Sequence, residues 1–261
     1  MNKSTVFLCG ILGAASTALA QGPVYSVNIV GIQKVTTPPG EYVQASNPFV
    51  KSATDLNSVV GNQMTGGTDF DTGDNVLVWT GTTYKTFFLV NSGGEYPELD
   101  GKWISLDGEG NPVVATEPLP TGKGFWFKNN NAEATVSFVG DVESAATKSM
   151  AIVPGFNLVS YPYSSSVALN SAAMNLNLAA GCIGGEEVDT SDTISIWGEG
   201  TYRTYFLVNF PAEPTLHNKW CYVGGDGGVY AADVVLEPGM SFWYGRRSNA
   251  GSFTWTTTKP Y

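Results

Sequence analysis

The sequence predicts an all-β protein made of two tandem antiparallel domains with the same fold. Only 14% of its residues are charged, while it holds 31 glycines and 12% aromatic residues, a composition typical of short strands joined by tight turns. A long stretch of the first half also returns in the second half. We therefore expect two similar β-sandwiches or small barrels, each with one short helix.

The repeat aligns residues 66–91 with residues 184–209 without gaps, and half of the aligned positions are identical. A repeat of this length predicts that each copy folds as its own unit. Because both copies must fold, residues that recur in both are explained first by the scaffold and only then by function. We expect a first domain over 21–142 and a second domain over 143–261.

Residues 1–20 are predicted to be a secretory signal peptide. They combine a lysine near the start, an apolar stretch and the small-residue motif Ala18-Leu19-Ala20, so cleavage is expected after Ala20. A lipoprotein anchored at Cys9 is disfavoured, because Cys9 lies inside the apolar run without a proper lipobox. The expected location is the periplasm, the cell surface or the medium.

The charge and hydropathy of the chain exclude several classes of partner. Its formal net charge is −10, and an acidic surface repels nucleic acid and anionic membranes. After the signal peptide, no segment reaches the ~20 consecutive apolar residues that a transmembrane helix needs. The expected partners are a protein or a glycan at the cell surface.

Each domain is predicted to contain six strands that follow the same order in both copies. Runs of β-branched and aromatic residues between turn residues place them near 41–47, 75–80, 84–90, 102–106, 123–128 and 134–139 in the first copy, and near 156–161, 193–198, 202–208, 219–223, 240–244 and 251–257 in the second. The short turns GTT and GEG predict a hairpin between the second and third strands of each copy.

Two further kinds of element are expected outside these strands. Apolar residues recur at helical spacing only in 56–60 and 169–173, which predicts one short helix per domain. Residues 24–30, VYSVNIV, have no duplicate and alternate like a strand. This segment either pairs with its own first domain or adds to the sheet edge of a neighbouring molecule and supports self-assembly.

Several short motifs resemble a β-rich module that is repeated in many exported and surface proteins of bacteria. The segment GFNLVSYP at 155–162 is similar to the GWNLISLP opening of that module, and Ile196-Trp197 and GMSFW at 239–243 are similar to its IW strand and its aromatic closing strand. The first copy matches at Val78-Trp79 and at GFW, residues 124–126. At its opening, Glu41 and Tyr42 stand in place of Phe and Asn.

The start VYSVNIVG after the signal peptide also resembles a large group of secreted proteins of verrucomicrobial-type bacteria. These two resemblances imply export and a β-fold. They carry no catalytic residue that could be transferred to this chain.

Acidic residues before the second strand of each copy form a candidate calcium site. Three carboxylates lie within six residues in each copy, and Ca²⁺ prefers six to eight oxygen ligands. Turn formation is the alternative, because Asp side chains accept hydrogen bonds from nearby backbone N–H groups. The acids are Asp69, Asp71, Asp74, Glu187, Asp189 and Asp192.

Aromatic residues are candidates for stacking against sugars. The tryptophans recur at matching positions and alternate with apolar strand residues, so core packing is the favoured interpretation for Trp79, Trp103, Trp126, Trp197, Trp220 and Trp243. If a sugar-binding face exists, we expect it on the hairpins, at Tyr84, Phe87, Tyr202 and Tyr205.

Cys182 and Cys221 are predicted to form a disulfide, because export exposes them to an oxidising compartment. Their counterparts in the first copy are Met64 and Ile104, two apolar residues, as expected if the two positions touch in the core. A redox function is not expected without a CxxC motif.

The leading functional hypothesis is a non-enzymatic structural or adhesion protein of the cell envelope or extracellular matrix. The sole histidine, His217, lies in a loop without a GxSxG-like motif, so no catalytic constellation can be named. A carbohydrate-binding protein is the alternative, and a secreted hydrolase comes third. No cofactor is expected apart from the candidate Ca²⁺.

Overall fold

A computed structural model describes residues 29–261, and all strands of its named sheets pair antiparallel. The predicted signal peptide and most of the 24–30 segment lie outside the described residues. The first unit is formed by residues 30–141 and contains β1 (Val30–Thr37), β2 (Tyr42–Ser46), α1 (Leu56–Val59), β3 (Asn75–Trp79), β4 (Tyr84–Leu89), β5 (Trp103–Leu106), β6 (Pro112–Val114), β7 (Gly124–Lys128) and β8 (Ala134–Asp141).

The second unit is formed by residues 147–258 and repeats this order. It contains β9 (Thr147–Ile152), β10 (Gly155–Ser160), β11 (Val167–Ala168), two 3₁₀ helices (Leu178–Ala180 and Val188–Thr190), β12 (Thr193–Gly198), β13 (Thr201–Leu207), β14 (Trp220–Val223), β15 (Val229–Ala231), β16 (Val235–Leu236), β17 (Ser241–Arg246) and β18 (Phe253–Thr258).

Each unit is built from a six-stranded sheet and a two-stranded ribbon. The sheets have the orders β2-β7-β3-β4-β5-β6 and β10-β17-β12-β13-β14-β15, and the ribbons are β1-β8 and β9-β18. The outer strands of each sheet do not pair with each other, so each unit is sandwich-like rather than a closed barrel. The all-β class and the two similar units are thereby confirmed.

The hydrophobic cores lie between each sheet and its ribbon. In the first unit, Phe125 and Phe127 of β7 pack against Phe138 of β8, and Trp255 of β18 packs against Phe242 of β17 in the second. Side chains alternate between the two faces of a strand, so these residues also fix which positions face away from the core.

The predicted strands are all present within two residues of their expected limits, and so are both hairpins, β3-β4 and β12-β13. The structure adds the ribbon strands β1 and β9, the short edge strands β6 and β15, and the pair β11-β16, none of which is among the six strands predicted for each copy. The strands β6, β11, β15 and β16 have only two or three residues, too few for alternation to reveal a strand.

The helix prediction is confirmed in the first unit only. There, α1 begins after Asp55, whose side chain accepts a hydrogen bond from the Ser58 backbone N–H. In the second unit, residues 169–173 form turns instead of a helix, and the 3₁₀ helix at Leu178–Ala180 follows them. Asn170 does not explain the difference. Its side chain bonds to the backbone of Trp220 and Ala232, and Asn57 of α1 makes the same bonds to the backbone of Trp103 and Ala115.

The end of the 24–30 segment pairs within its own unit. Val30 is opposite Asp141 in the β1-β8 ribbon, and the Ile29 carbonyl accepts a hydrogen bond from the Val142 N–H. These two residues of the segment therefore pair within the molecule. Residues 24–28 of the segment lie outside the described part of the chain.

Candidate functional site: two aromatic grooves between the units

The hairpin aromatics divide between the two faces of their sheets. Phe87 and Tyr205 point into the cores and are 0% and 2% exposed, so they are not available for stacking, contrary to the sequence prediction. Tyr84 and Tyr202 lie on the opposite face and are 37% and 41% exposed. The period of two along β4 and β13 produces this division.

The tryptophans divide in the same way. Trp103, Trp220 and Trp255 are core residues, and each indole N–H donates to a backbone carbonyl 2.6–2.7 Å away. Core packing is therefore confirmed for Trp103 and Trp220. It is wrong for the tryptophans that lie on the outer faces of the sheets, where the two units meet, namely Trp79, Trp126, Trp197 and Trp243.

These four tryptophans interlock across the junction of the units. Trp79 contacts Trp243 with ring centroids 5.3 Å apart, and Trp126 contacts Trp197 at 5.5 Å, both edge to face. Trp79 corresponds to Trp197 in the repeat, and Trp126 corresponds to Trp243. The two contacts are thus exchanged by a pseudo-twofold axis between the units.

Backbone hydrogen bonds show the same pseudo-twofold relation. The Ser46 N–H donates to the Gly239 carbonyl, and the Ser160 N–H donates to the Gly122 carbonyl, each at 2.8 Å. Ser46 ends β2 and Ser160 ends the corresponding strand β10. The strand register also matches Tyr42 with Phe156, since they pair with the equivalent residues Lys128 and Gly245.

Two grooves remain on either side of the interlocked tryptophans, and both take residues from both units. Groove A has a volume of about 370 Å³ and is lined by Trp79, Phe156, Ser195, Tyr202, Thr204 and Trp243. Groove B has a volume of about 240 Å³ and is lined by Tyr42, Leu77, Tyr84, Trp126, Trp197 and Tyr202. Tyr202 lines both, so the grooves adjoin each other along the junction.

The polar side-chain groups that line the grooves are indole N–H groups and hydroxyls. In groove A, the Trp79 N–H donates to the Phe156 carbonyl at 2.8 Å and the Trp243 N–H donates to the Tyr202 hydroxyl at 3.0 Å. In groove B, the buried Trp126 N–H has no acceptor among residues 29–261. This N–H is enclosed by protein, beside the Tyr84 side chain, and does not face the open groove.

Burial raises the pKa of Tyr84, and the nearby Tyr202 phenol raises it further. The pKa of Tyr202 is also raised by burial. Both hydroxyls are consequently neutral at physiological pH. They can donate as well as accept hydrogen bonds.

The acidic residues of the candidate calcium site do not converge. Within residues 29–261, no group of three or more His, Cys, Asp or Glu side chains could hold a metal ion. Asp69 forms an exposed turn, where hydrogen bonds from the hydroxyl and N–H of Thr72 lower its pKa. Asp71, Glu187 and Asp189 are exposed; Glu187 precedes the 3₁₀ helix Val188–Thr190, and Asp189 lies within it.

Asp74 and Asp192 are instead buried and tie loops to the sheets. Asp74 accepts hydrogen bonds from the backbone N–H groups of Thr65 and Asn130, each at 2.8 Å. Asp192 accepts from Arg246 at 2.6 Å and from the Tyr244 hydroxyl at 2.7 Å. The duplicated acids thus serve the scaffold, as the alternative interpretation held.

The predicted disulfide is absent from the described residues, where both cysteines are free and buried. Cys182 packs in the core of the second unit, whereas Cys221 packs on the other face of the sheet with Phe206 and Val208. The counterparts Met64 and Ile104 are separated in the same way. Both positions are apolar because each belongs to a hydrophobic cluster. The two clusters lie on opposite faces of the sheet, so the two positions do not touch.

His217 and the acidic side chains do not line either groove. The backbone N–H of His217 donates to the Glu213 carbonyl in the loop before β14. Across residues 29–261, no helix is both long and apolar enough to cross a membrane.

The sequence predicted two residues of the site, Tyr84 and Tyr202, and missed Tyr42, Phe156 and the four junction tryptophans. The duplication of the tryptophans was visible, but it did not indicate which face they occupy. No protein-family model matches the chain, and no curated protein matches it significantly.

Proposed function

We propose that this protein is an exported, non-enzymatic interaction protein of the cell envelope or extracellular matrix, and that it binds carbohydrate in grooves A and B. The observation that carries the proposal is the pair of adjoining grooves with aromatic rims. Tyr84 and Tyr202 line the grooves from the two hairpins. Tyr42 and Phe156 also line them and are 45% and 61% exposed.

The chemistry of the grooves suits a sugar. The apolar C–H face of a pyranose ring packs on an aromatic ring, while its hydroxyls need nearby donors and acceptors. Here the aromatic rings are accompanied by the tyrosine hydroxyls and by the hydroxyl residues Ser195 and Thr204. The groove volumes, about 370 and 240 Å³, suit one or two sugar rings each rather than a large ligand.

The non-enzymatic part of the proposal is supported by what lines the grooves. Glycoside hydrolysis uses two carboxyl groups on opposite sides of the scissile bond. Neither groove has a carboxylate in its lining. A binding role needs only the shape and the stacking surfaces that are present.

Binding to a panel of soluble polysaccharides, followed by titration calorimetry and tryptophan fluorescence, tests the proposal. We expect at least one neutral or acidic glycan to bind and to change the fluorescence, since four tryptophans line the grooves. Tyr202→Ala should weaken binding about tenfold or more, because Tyr202 contributes to both grooves.

Tyr96→Ala is the matched control. Tyr96 is also exposed but lies in the loop before β5, outside both grooves, so its removal should leave binding intact. Failure of every glycan to bind, or equal losses in the two variants, would contradict the proposal.

A further inference from the structure

A second cleft continues groove A beyond Phe156. It has a volume of about 240 Å³, and Phe156 lines both spaces. We call it the arginine cleft, after Arg246 and Arg247, which line it together with Thr193, Gly245 and Ser248. Gly245 matters for this space, because a Cβ there would lie 3.6 Å from the Phe156 ring and collide with the Thr193 hydroxyl.

The two arginines differ in how their charges are compensated. Arg246 is 7% exposed, and its guanidinium forms an ion pair with Asp192 at 2.6 Å and donates to the Gly251 and Gly181 carbonyls. Arg247 is only partly buried, and its guanidinium forms no hydrogen bond or ion pair with any residue in 29–261. The cleft therefore contains one cation without a protein counter-ion.

The fold does not require a positive charge at position 247, because the equivalent position of the first unit carries a neutral side chain. The Arg247 backbone N–H donates to Asp192 at 2.9 Å, just as the Asn130 N–H donates to Asp74 at 2.8 Å. Asn130 is thus the counterpart of Arg247, and its side chain donates to the backbone of the preceding loop, at Phe70 and Gly73. The same backbone position carries a structural amide in one unit and an uncompensated guanidinium in the other.

The corresponding cleft beside groove B has a different charge. It is lined by Tyr42, Asp71, Asn75, Thr86 and Lys128, among others, so a carboxylate and an ammonium group are both present. In the arginine cleft, no acidic side chain belongs to the lining. The pseudo-twofold axis thus relates two grooves that are lined by equivalent positions and whose outer ends differ in charge.

We propose that the arginine cleft binds the anionic group of an acidic sugar, a carboxylate or a sulfate, while a neighbouring ring of the same glycan stacks in groove A. The inference rests on the proposed carbohydrate binding and specifies its ligand class. A guanidinium offers several N–H donors in a planar fork that matches oxyanions, and Ser248 and Thr193 supply hydroxyls beside it. Because the whole chain has a net charge of −10, general attraction to polyanions does not account for such binding.

Titration calorimetry with pairs of oligosaccharides that differ only in charge tests the inference. One pair is a galacturonic acid oligomer and its methyl ester, and the other is a sulfated galactan oligomer and its desulfated form. We expect the anionic member of one pair to bind about tenfold tighter than its neutral partner, the effect of a hydrogen-bonded charge. The pair that shows this preference identifies the oxyanion.

Arg247→Asn should reduce the affinity for the anionic member to that of its neutral partner. The variant should keep its unfolding temperature, since Asn is the residue that occupies the equivalent position 130. Arg247→Lys should restore only part of the preference, because an ammonium group lacks the planar fork. Lys219→Asn removes one positive charge from an exposed position outside the cleft and should leave the preference intact.

The outcomes separate the two proposals. Equal binding of charged and neutral members, or a preference that survives Arg247→Asn, overturns the acidic ligand and leaves carbohydrate binding in place. Absence of binding to all four oligomers and to the polysaccharide panel overturns both.

Discussion

Trp220 and Cys221 are neighbours in β14, yet their side chains contribute to opposite faces of the sheet. Trp220 packs in the core against Tyr244, while Cys221 joins Phe206 and Val208 on the outer face. Cys182 lies on the core side, so the sheet itself separates the two sulfur atoms. A shift of one residue along a strand therefore decides whether a side chain faces the core of its own unit, the other unit or solvent.

The thiols are expected to be free and unreactive in the native protein. Burial raises the pKa of Cys182 from its ordinary 9.0 to about 12 and that of Cys221 to about 11, which keeps both in the protonated, poorly nucleophilic form. A chromogenic disulfide reagent at pH 8 should therefore react with neither thiol in the native state and with both after unfolding in urea. A urea-unfolded sample that shows no thiol would mean that the cysteines are paired.

At the scale of elements, strands of the two units approach each other at Gly124, the first residue of β7. A Cβ at this position would lie 2.8 Å from both Leu158 Cγ of β10 and Ser241 Cβ of β17. The absence of a side chain therefore permits the close packing that brings Trp126 against Trp197. The corresponding residue in β17 is Ser241, so only one of the two strands needs a glycine here.

Gly124→Ala is expected to lower the free energy of unfolding by about 1–3 kcal/mol, the usual effect of overpacking a tight contact. Loosening of the tryptophan contacts should also weaken the near-UV circular dichroism. Urea denaturation monitored by both signals measures the effect. Gly108→Ala, at a position with open space around it, is the control and should change neither signal. Equal stability of the two variants would show that the units are not tightly packed at Gly124.

At the scale of the whole molecule, the two units are joined as an isologous pair, with equivalent contacts exchanged by the pseudo-twofold axis. One surface breaks this symmetry besides the arginine cleft. On the first ribbon, Val30 and Ile32 are 64% and 61% exposed, whereas the strand register places Thr147 and Ser149 at the equivalent positions of the second ribbon. Exposed apolar side chains in a row are typical of contact surfaces.

Self-association through this ribbon is the expected consequence, and it extends the proposed interaction role to copies of the chain. Residues 21–261 should form dimers or larger species in size-exclusion chromatography with light scattering. Val30→Thr combined with Ile32→Ser installs the residues of the second ribbon and should give monomers without loss of strand pairing. A monomeric parent protein would exclude association through this surface.

The sequence by itself determined the β class, the repeat, the positions of twelve strands and the hairpins, because alternation and turn residues act over a few neighbouring positions. It did not determine the site. Trp79 and Trp103 recur equally well in the second unit, yet one lies at the junction and the other in the core. Only the packing of the two sheets decided this difference, since the face that a side chain occupies depends on strand register and on which distant surface covers that face.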